Sequence, residues 1–362
     1  MSVINSQIFE VNKTKLYSTR ISTTPINDKL VEGEVILKVD KFALTANNIS
    51  YGVAGDSLGY WRFFPVQDEQ WGRLPVMGFA DVIVSNCEGV DVGERVWGFM
   101  PMATHFKISA GKVSPISFSD VSSYRDDLSP FYASFERVSK NPFYQPKNED
   151  FEILVRGLYT TAWLIDDFMF DNQYFDAKQY IITSASSKTS IALAFAIQER
   201  GERPAIGITS KANKAFVESL QCYQQVISYD DVESLDANIP SMIVDMAGSQ
   251  TVLSSIHHHF GEQLRYSCRV GLTHHDDIVT EERLPGAKPV LFFAPTQLKK
   301  RIIECGTAET MKKMGTSLLS YIEFCRSIMT IEHTVDKTKI DAIYQNVLSG
   351  KADASIGLII SL

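Results

Sequence analysis

One segment constrains the fold of this chain more than any other. Residues 179–214 read QYIITSASSKTSIALAFAIQERGERPAIGITSKANK. Tyr180 to Thr183 is a short apolar run of the kind that forms a buried parallel strand. The turn from Ser184 to Ser190 holds only small or hydroxyl residues and one lysine. A helical pattern follows, with Ile191, Ala194, Phe195 and Ile197 on its buried side, and then a second strand at Ala205 to Thr209. Strand, tight turn, helix and strand make the first half of a nucleotide-binding βαβ unit. In such a unit the end of the second strand meets the adenosine ribose, where an acidic residue favours a free 2′-hydroxyl. Here Ser210 and Lys211 stand at that end, with Lys214 nearby, a set that suits a 2′-phosphate and hence NADPH.

The turn departs from the G-x-G-x-x-G fingerprint, because SASSKTS contains no glycine. Serine and alanine are small enough for a fairly close backbone approach but do not supply a positive φ cheaply. The helix N-terminus still offers amides and a positive dipole end to an anion. Ser186, Ser187 and Thr189 add hydroxyls there and Lys188 a charge. The plainer alternative is an ordinary βα turn with a capping serine.

The chain has 362 residues, 44% of them hydrophobic and 22% charged, enough for two globular domains. Net charge is −8 and no long basic run occurs, which argues against nucleic acid as a partner. No apolar run reaches the length of a membrane span. The N-terminal stretch lacks the apolar core of a signal peptide. Five scattered cysteines without a C-x-x-C pair suit free thiols in a reducing cytoplasm. Of these, Cys222 and Cys268 sit in apolar runs and read as small core residues.

Residues 1 to about 150 read mostly as β, with strands expected at Val35–Val39, Ala80–Ser85, Arg95–Phe99 and Thr104–Ile108. Residues 120–150 are polar with interspersed aromatics and are expected to include the domain crossing. From Phe151 strands alternate with helices, the sign of a parallel sheet. Strands are expected at Tyr180–Thr183, Ala205–Thr209, Val226–Ser228, Met242–Asp245, Tyr266–Val270 and Val290–Phe293. Helices are expected at Thr189–Arg200, Lys211–Leu220, Thr251–Leu264 and Glu309–Ile328, and strand character returns at Ala354–Ser361.

Four segments in order resemble the medium-chain dehydrogenase/reductase superfamily: DVGERVWGF at 91–99, GLYTTAW at 157–163, VDMAGS at 244–249 and GKADASIGLIISL at 350–362. The nearest likeness is to a bacterial branch similar to zinc-free quinone oxidoreductases. The resemblance implies an α/β chain with two domains. A β-rich GroES-like domain would span 1–150 and be completed by about 330–362. A doubly wound, parallel-sheet, Rossmann-like cofactor domain would span 151–330. It also implies that Thr161 faces the cofactor from just before that domain's first long helix, and that Ala247 and Gly248 lie beside the cofactor. Zinc-dependent members carry an early cysteine and a G-H-E; the matching stretch here, MGFADVIVSN at 77–86, has Phe79 and Ala80 in place of His and Glu. No metal site is therefore expected. The structural lobe of four cysteines is also missing.

By the same resemblance, residues 44–61 sit where zinc-free reductases contact substrate. Asn48 can pair with a carbonyl and a cofactor ribose, and Tyr51 or Tyr60 can give a proton to a developing oxyanion. The alternative for Asn48 is a helix cap, and for Tyr51 packing in the interface. Trp61 is the neighbouring candidate for an apolar lining. His257, His258 and His259 are consecutive, so on a helix they point about 100° apart and do not share a metal easily. His274, His275, Asp276 and Asp277 fall on a loop that closes over nicotinamide in the superfamily; a solvated loop is the plainer reading. The expected activity is NADPH-dependent reduction of an activated alkene, quinone or carbonyl, with a small molecule as substrate. The alternatives are a non-redox enzyme (carbon–carbon cleavage or hydrolysis) and a catalytically silent cofactor-binding protein on the same fold. A homodimer through an edge strand fits the resemblance, with Val290–Ala294 the candidate run.

Overall fold

A computed structural model describes residues 3–128, 130–246, 248–270 and 284–362. The chain divides into two compact units, 1–154 with 329–362, and 155–328. The first opens with β1 (Val3–Asn12), β2 (Thr19–Asn27) and β3 (Glu34–Leu44), then helix α1 (Ala46–Val53). It continues through β4 (Trp71–Gly72), β5 (Pro75–Ser85), β6 (Arg95–Pro101), β7 (His105–Gly111), β8 (Ser117–Asp120) and β9 (Ser134–Arg137). Helix α2 (Glu149–Asp171) leads into the second unit. There follow β10 (Gln179–Ile182), α3 (Lys188–Arg200), β11 (Ala205–Thr209), α4 (Lys214–Ser219), β12 (Gln225–Ser228) and β13 (Ser241–Asp245). Next come α5 (Gln250–Phe260), β14 (Leu264–Arg269), β15 (Pro289–Leu291), α6 (Ala294–Cys305) and α7 (Thr307–Ile328). The chain then rejoins the first unit with β16 (Thr330–Thr334), α8 (Ile340–Leu348) and β17 (Ile356–Ile360).

In the first unit, β3, β5, β6, β9, β8 and β7 pair in succession, and β7 pairs back onto β3. That closure leaves neither side of β3 open along its first half and buries Val35, Leu37 and Val39. The C-terminal β17 joins antiparallel to the other end of β3, with Leu358 opposite Leu44. Phe42, Phe99, Phe106, Phe118 and Phe135 fill the core.

The second unit has a parallel sheet in the order β12-β11-β10-β13-β14-β15. Strands β10, β11 and β13 are buried along their whole length, as befits strands covered on both faces. The order reverses between β10 and β13, so that point is the topological switch where an open α/β sheet offers a crevice. The fold class expected from the sequence is the one observed.

Several local expectations change. Tyr159, Thr160 and Thr161 do not precede the first long helix; they lie inside α2, and Thr161 Oγ1 donates back to the Gly157 carbonyl at 3.2 Å. Gly157 and the Thr160-Thr161 pair in the middle of this 23-residue helix hid its continuity, since glycine and β-branched residues are weak helix formers. The expected strand at 290–293 ends at Leu291, and α6 begins two residues after Phe292, with Pro295 in its first turn. The helix expected at 211–220 is a 3₁₀ turn followed by the short α4. At the end of α2, Gln173, Tyr174, Phe175 and Asp176 all have positive φ, a left-handed turn that no glycine marks. It is held by Phe175 stacked on Tyr266 at 4.0 Å and by the Tyr174 hydroxyl donating to Glu202.

Candidate functional site

The glycine-free turn adopts the conformation that a glycine would have made easy. Ser184, the second residue after β10, has φ +49°. A left-handed serine costs about 1–2 kcal/mol. The site offsets this cost by holding the residue from both sides. The Ser184 N–H donates to the Tyr229 hydroxyl at 3.1 Å, and the Tyr223 hydroxyl donates to the Ala185 carbonyl at 3.0 Å. Across the sheet stands Gly207, where an added Cβ would lie 2.9 Å from the Ala185 Cβ. The close strand-to-turn approach is thus obtained by a glycine on β11 rather than in the turn.

Helix α3 starts behind this turn. Ser187 is its N-cap and accepts the Ser190 N–H at 3.2 Å, and the Ser190 hydroxyl donates to the Thr183 carbonyl. Ser186 Oγ accepts from Asn213 Nδ2 at 3.0 Å, which ties the turn to the end of β11. Ser186, Ser187, Lys188 and Thr189 are all half-buried. The helix ends at Gly201, φ +74°, the usual left-handed stop. The N-terminal end of α3 and its hydroxyls are therefore brought to the C-terminal edge of the sheet.

The end of β11, where the sequence suggested a 2′-phosphate contact, is less one-sided in charge than expected. Ser210 caps the 3₁₀ turn after β11, and Lys211 is 74% exposed. Its ammonium pairs with Asp230 at 2.9 Å, and that carboxylate holds the lysine pKa above its usual range. Lys214 reaches Glu218 at 3.9 Å.

At the switch point the structure joins Thr183, which was not a site candidate, to Asp245 of the VDMAGS segment. Thr183 Oγ1 donates to Asp245 Oδ1 at 2.9 Å and accepts the Met246 N–H at 2.9 Å. Gly248, φ +75°, donates its N–H to the same carboxylate oxygen at 3.2 Å. Asp245 thus shapes the backbone after β13. An acidic residue closing a buried strand was the signal for it. Ala247 and the loop carrying His274, His275, Asp276 and Asp277 lie outside the described residues.

In the first unit, Asn48 forms a capping box with Thr45. Its Oδ1 accepts the Thr45 N–H at 2.7 Å, and its Nδ2 donates to the Pro75 carbonyl at 3.0 Å. These bonds engage Oδ1 and one Nδ2 hydrogen, and Asn48 is 5% exposed. Tyr51 lies one turn on. Its hydroxyl accepts from Asn47 Nδ2 at 2.7 Å, and its ring centroid is 4.4 Å from that of Tyr60. Tyr132, which the sequence reading did not single out, packs 6.3 Å from Tyr51 and 6.0 Å from Tyr60. Three phenols from three separate segments therefore meet against Phe63 and Phe99. Burial, and secondarily the Tyr132 hydroxyl, push the Tyr51 and Tyr60 pKa values well up, so both phenols hold their protons. Trp61 is buried, its indole ring seated where a Cβ on Gly55 or Gly72 would fall.

The three histidines of α5 go to three different partners. His257 bonds Ser267 Oγ at 2.9 Å and the Pro285 carbonyl at 2.8 Å, His258 the Ser254 carbonyl, and His259 the Leu235 carbonyl. The Ser267–His257 pair has the spacing of a nucleophile and its base, but both residues are 0% exposed, so it bonds helix to strand within the core. Among the described residues no three His, Cys, Asp or Glu side chains gather as a metal site would require. Phe79 and Ala80 are buried on β5. No described helix is long and apolar enough to cross a membrane.

Comparison with solved structures shows where this architecture recurs. CurA from Vibrio vulnificus, solved in complex with NADPH, matches with a TM-score of 0.64 over 95% of this chain and 94% of that one, at 13% identity. The quinone oxidoreductase from Coxiella burnetii matches at 0.56 over 99% and 100%, at 14% identity. The yhdH oxidoreductase from Salmonella enterica, in complex with NADP, matches at 0.56 over 98% and 99%, at 10% identity. At such identities the likeness is one of fold, that of medium-chain dehydrogenase/reductase-type oxidoreductases. No curated protein matches the sequence. The family described as "Protein of unknown function (DUF2855)" matches residues 42–353, most of the chain, and the chain belongs to that family.

Proposed function

We propose that this chain is a zinc-independent, NADPH-dependent reductase of an activated alkene, quinone or carbonyl, on a branch similar to zinc-free quinone oxidoreductases. One observation carries the reading: the C-terminal edge of the β12-β11-β10-β13 sheet joins a left-handed turn, a helix N-terminus and a lysine-bearing strand end. The turn fits a dinucleotide because Gly207 admits Ala185 closely, and Ser184 holds the backbone conformation that the fingerprint glycine supplies elsewhere. Ser186, Ser187, Lys188 and Thr189 would hold the pyrophosphate, and Ser210, Lys211 and Lys214 the 2′-phosphate. Ala247 and Gly248 would flank the crevice at the switch point, and Thr161 remains a candidate contact. When bound, NADPH supplies a hydride. The protein's part is to orient and to supply a proton, and Tyr51 and Tyr60, gathered in one aromatic cluster with Tyr132, are the candidate donors. Asn48 contributes through the backbone it fixes around Thr45 and Pro75. Phe79 and Ala80 offer no ligand atom to zinc.

The fold-likeness to NADPH-bound CurA supports dinucleotide binding, which the silent binding protein would share, so turnover decides between the two. The test is direct. Nucleotide fluorescence is titrated with the parent, Lys188→Ala and Lys211→Ala, and NADPH loss is then followed against a panel of enones, quinones and aldehydes. Lys211→Ala is expected to weaken NADPH roughly tenfold and leave NADH nearly unchanged, whereas Lys188→Ala weakens both. A parent that binds neither dinucleotide at millimolar concentration ends the proposal; binding without turnover on the panel favours the silent protein.

A further inference from the structure

We propose that Asp230 is a specificity-determining residue, and that Lys211 and Asp230 together make an adenosine site that admits both phosphorylated and unphosphorylated dinucleotides. This rests on the reading of residues 184–189 and 210–214 as a cofactor edge.

The register between neighbouring strands creates the pair. Strands β11 and β12 run parallel with Thr209 opposite Ser228. Two residues beyond each strand end, Lys211 and Asp230 face one another, Nζ to Oδ2 at 2.9 Å. The residue before Asp230 is anchored to the cofactor turn, because the Tyr229 hydroxyl accepts the Ser184 N–H at 3.1 Å. The segment 229–230 thus links the pyrophosphate turn to the lysine, the span that an adenosine ribose bridges in this fold. The sequence reading considered only the end of β11, where no acid stands; the acid arrives from the next strand.

The charges around the pair are balanced. Lys211 and Lys214 supply two positive charges, and Asp230 and Asp231 two negative ones. Asp231 is engaged elsewhere, accepting the Ser228 hydroxyl at 2.6 Å. Asp230 is the carboxylate on Lys211. A 2′-phosphate must take Lys211 from Asp230 and then sit beside that carboxylate, which opposes it. A 2′-hydroxyl meets the reverse case, since it can donate to Asp230 while Lys211 keeps its partner. Both side chains are mostly exposed, at 74% and 72%, so water screens the effect and neither nucleotide is strongly excluded.

The experiment titrates NADPH and NADH against the parent, Asp230→Asn and Asp231→Asn, with thermal melts as the folding control. Asp230→Asn is expected to tighten NADPH roughly two- to fivefold and weaken NADH by a similar factor, moving the preference by about tenfold. Raising the salt shrinks the shift in preference between Asp230→Asn and the parent. Asp231→Asn is expected to leave the preference near the parent's. An Asp230→Asn variant that binds NADPH but keeps the parental ratio of affinities overturns this inference and leaves the cofactor reading standing. An equal shift from Asp231→Asn also overturns it, since a diffuse field would then be at work. A parent that binds neither nucleotide overturns both.

Discussion

Ser184 shows how one residue can take an unfavourable conformation because its neighbours hold it there. Its left-handed φ of +49° stands where a dinucleotide fingerprint would place glycine, and Tyr229 receives its amide. Ser184→Gly is expected to raise stability by about 0.5–1 kcal/mol, since relief of strain outweighs the added freedom of the unfolded chain. Ser184→Val is expected to lower it by more than about 1 kcal/mol, because a β-branched side chain tolerates positive φ poorly. Chemical denaturation of both variants checks the pair; a Gly variant less stable than the parent would count against stored strain here. Asn48 is the second residue with a separable role. Removing its side chain in Asn48→Ala takes away the bond to the Thr45 amide and the buried bond to the Pro75 carbonyl, at a cost of about 1–3 kcal/mol. If Asn48 acts only through these bonds, its loss appears in the melt and not in the nucleotide titration.

At the scale of elements, the edge strand β15 carries the clearest unmet requirement. Val290, Leu291 and Phe293 are exposed, and among the described residues the strand pairs only with β14. A parallel edge with apolar side chains needs cover. A second copy of this chain is one occupant such an edge would take, and the oligomeric state is the test. Light scattering on the parent should give twice the chain mass, and Leu291→Lys should give the mass of one chain with an unchanged melt. A monomeric parent at high concentration would exclude that occupant. Helix α5 meets β14 through a different device. His257 donates or accepts at both ring nitrogens, and burial lowers its pKa. His257→Leu would remove the partner of the buried Ser267 hydroxyl and of the half-buried Pro285 carbonyl, with an expected loss of about 1–3 kcal/mol.

At the scale of the whole molecule, acid stability should be governed in part by the ion-pair network at the start of α2. Glu149 is buried and bonded to Arg95 at 2.7 Å, to the Tyr144 hydroxyl at 2.7 Å and to Lys41 at 3.0 Å. Burial alone would raise its pKa; Arg95, Tyr144 and Lys41 outweigh this and bring it to about 2, from an ordinary value of 4.5. A carboxylate depressed in the folded state contributes stability above its unfolded pKa and loses it as the pH falls through the folded one. The contribution is present above about pH 4.5 and disappears towards pH 2. After allowance for solvent screening it is about 1–2 kcal/mol. Glu149→Gln should therefore be less stable than the parent at neutral pH, with the gap closing as the pH drops through this window. A gap that stays constant down to pH 2 would show that the network does not depend on this carboxylate's charge.

The sequence by itself determined what short-range physics decides. Apolar runs bounded by turn residues marked β10, β11, β13 and α3, and their alternation implied a parallel sheet, because period and local dihedral preference are written in neighbouring residues. It also placed Ser210 and Lys211 at a strand end. Tertiary structure alone decided what depends on residues far apart in the chain. Asp230 reaches Lys211 only because β12 lies beside β11 in a particular register. Tyr132 joins Tyr51 and Tyr60 only once the ring of strands is closed. Leu358 finds Leu44 across more than three hundred residues because that pairing buries an apolar face. The left-handed Ser184 and the turn at 173–176 belong to the same class. Local preference opposes them, and they persist because hydrogen bonds and ring stacking from distant segments contribute more than the strain costs.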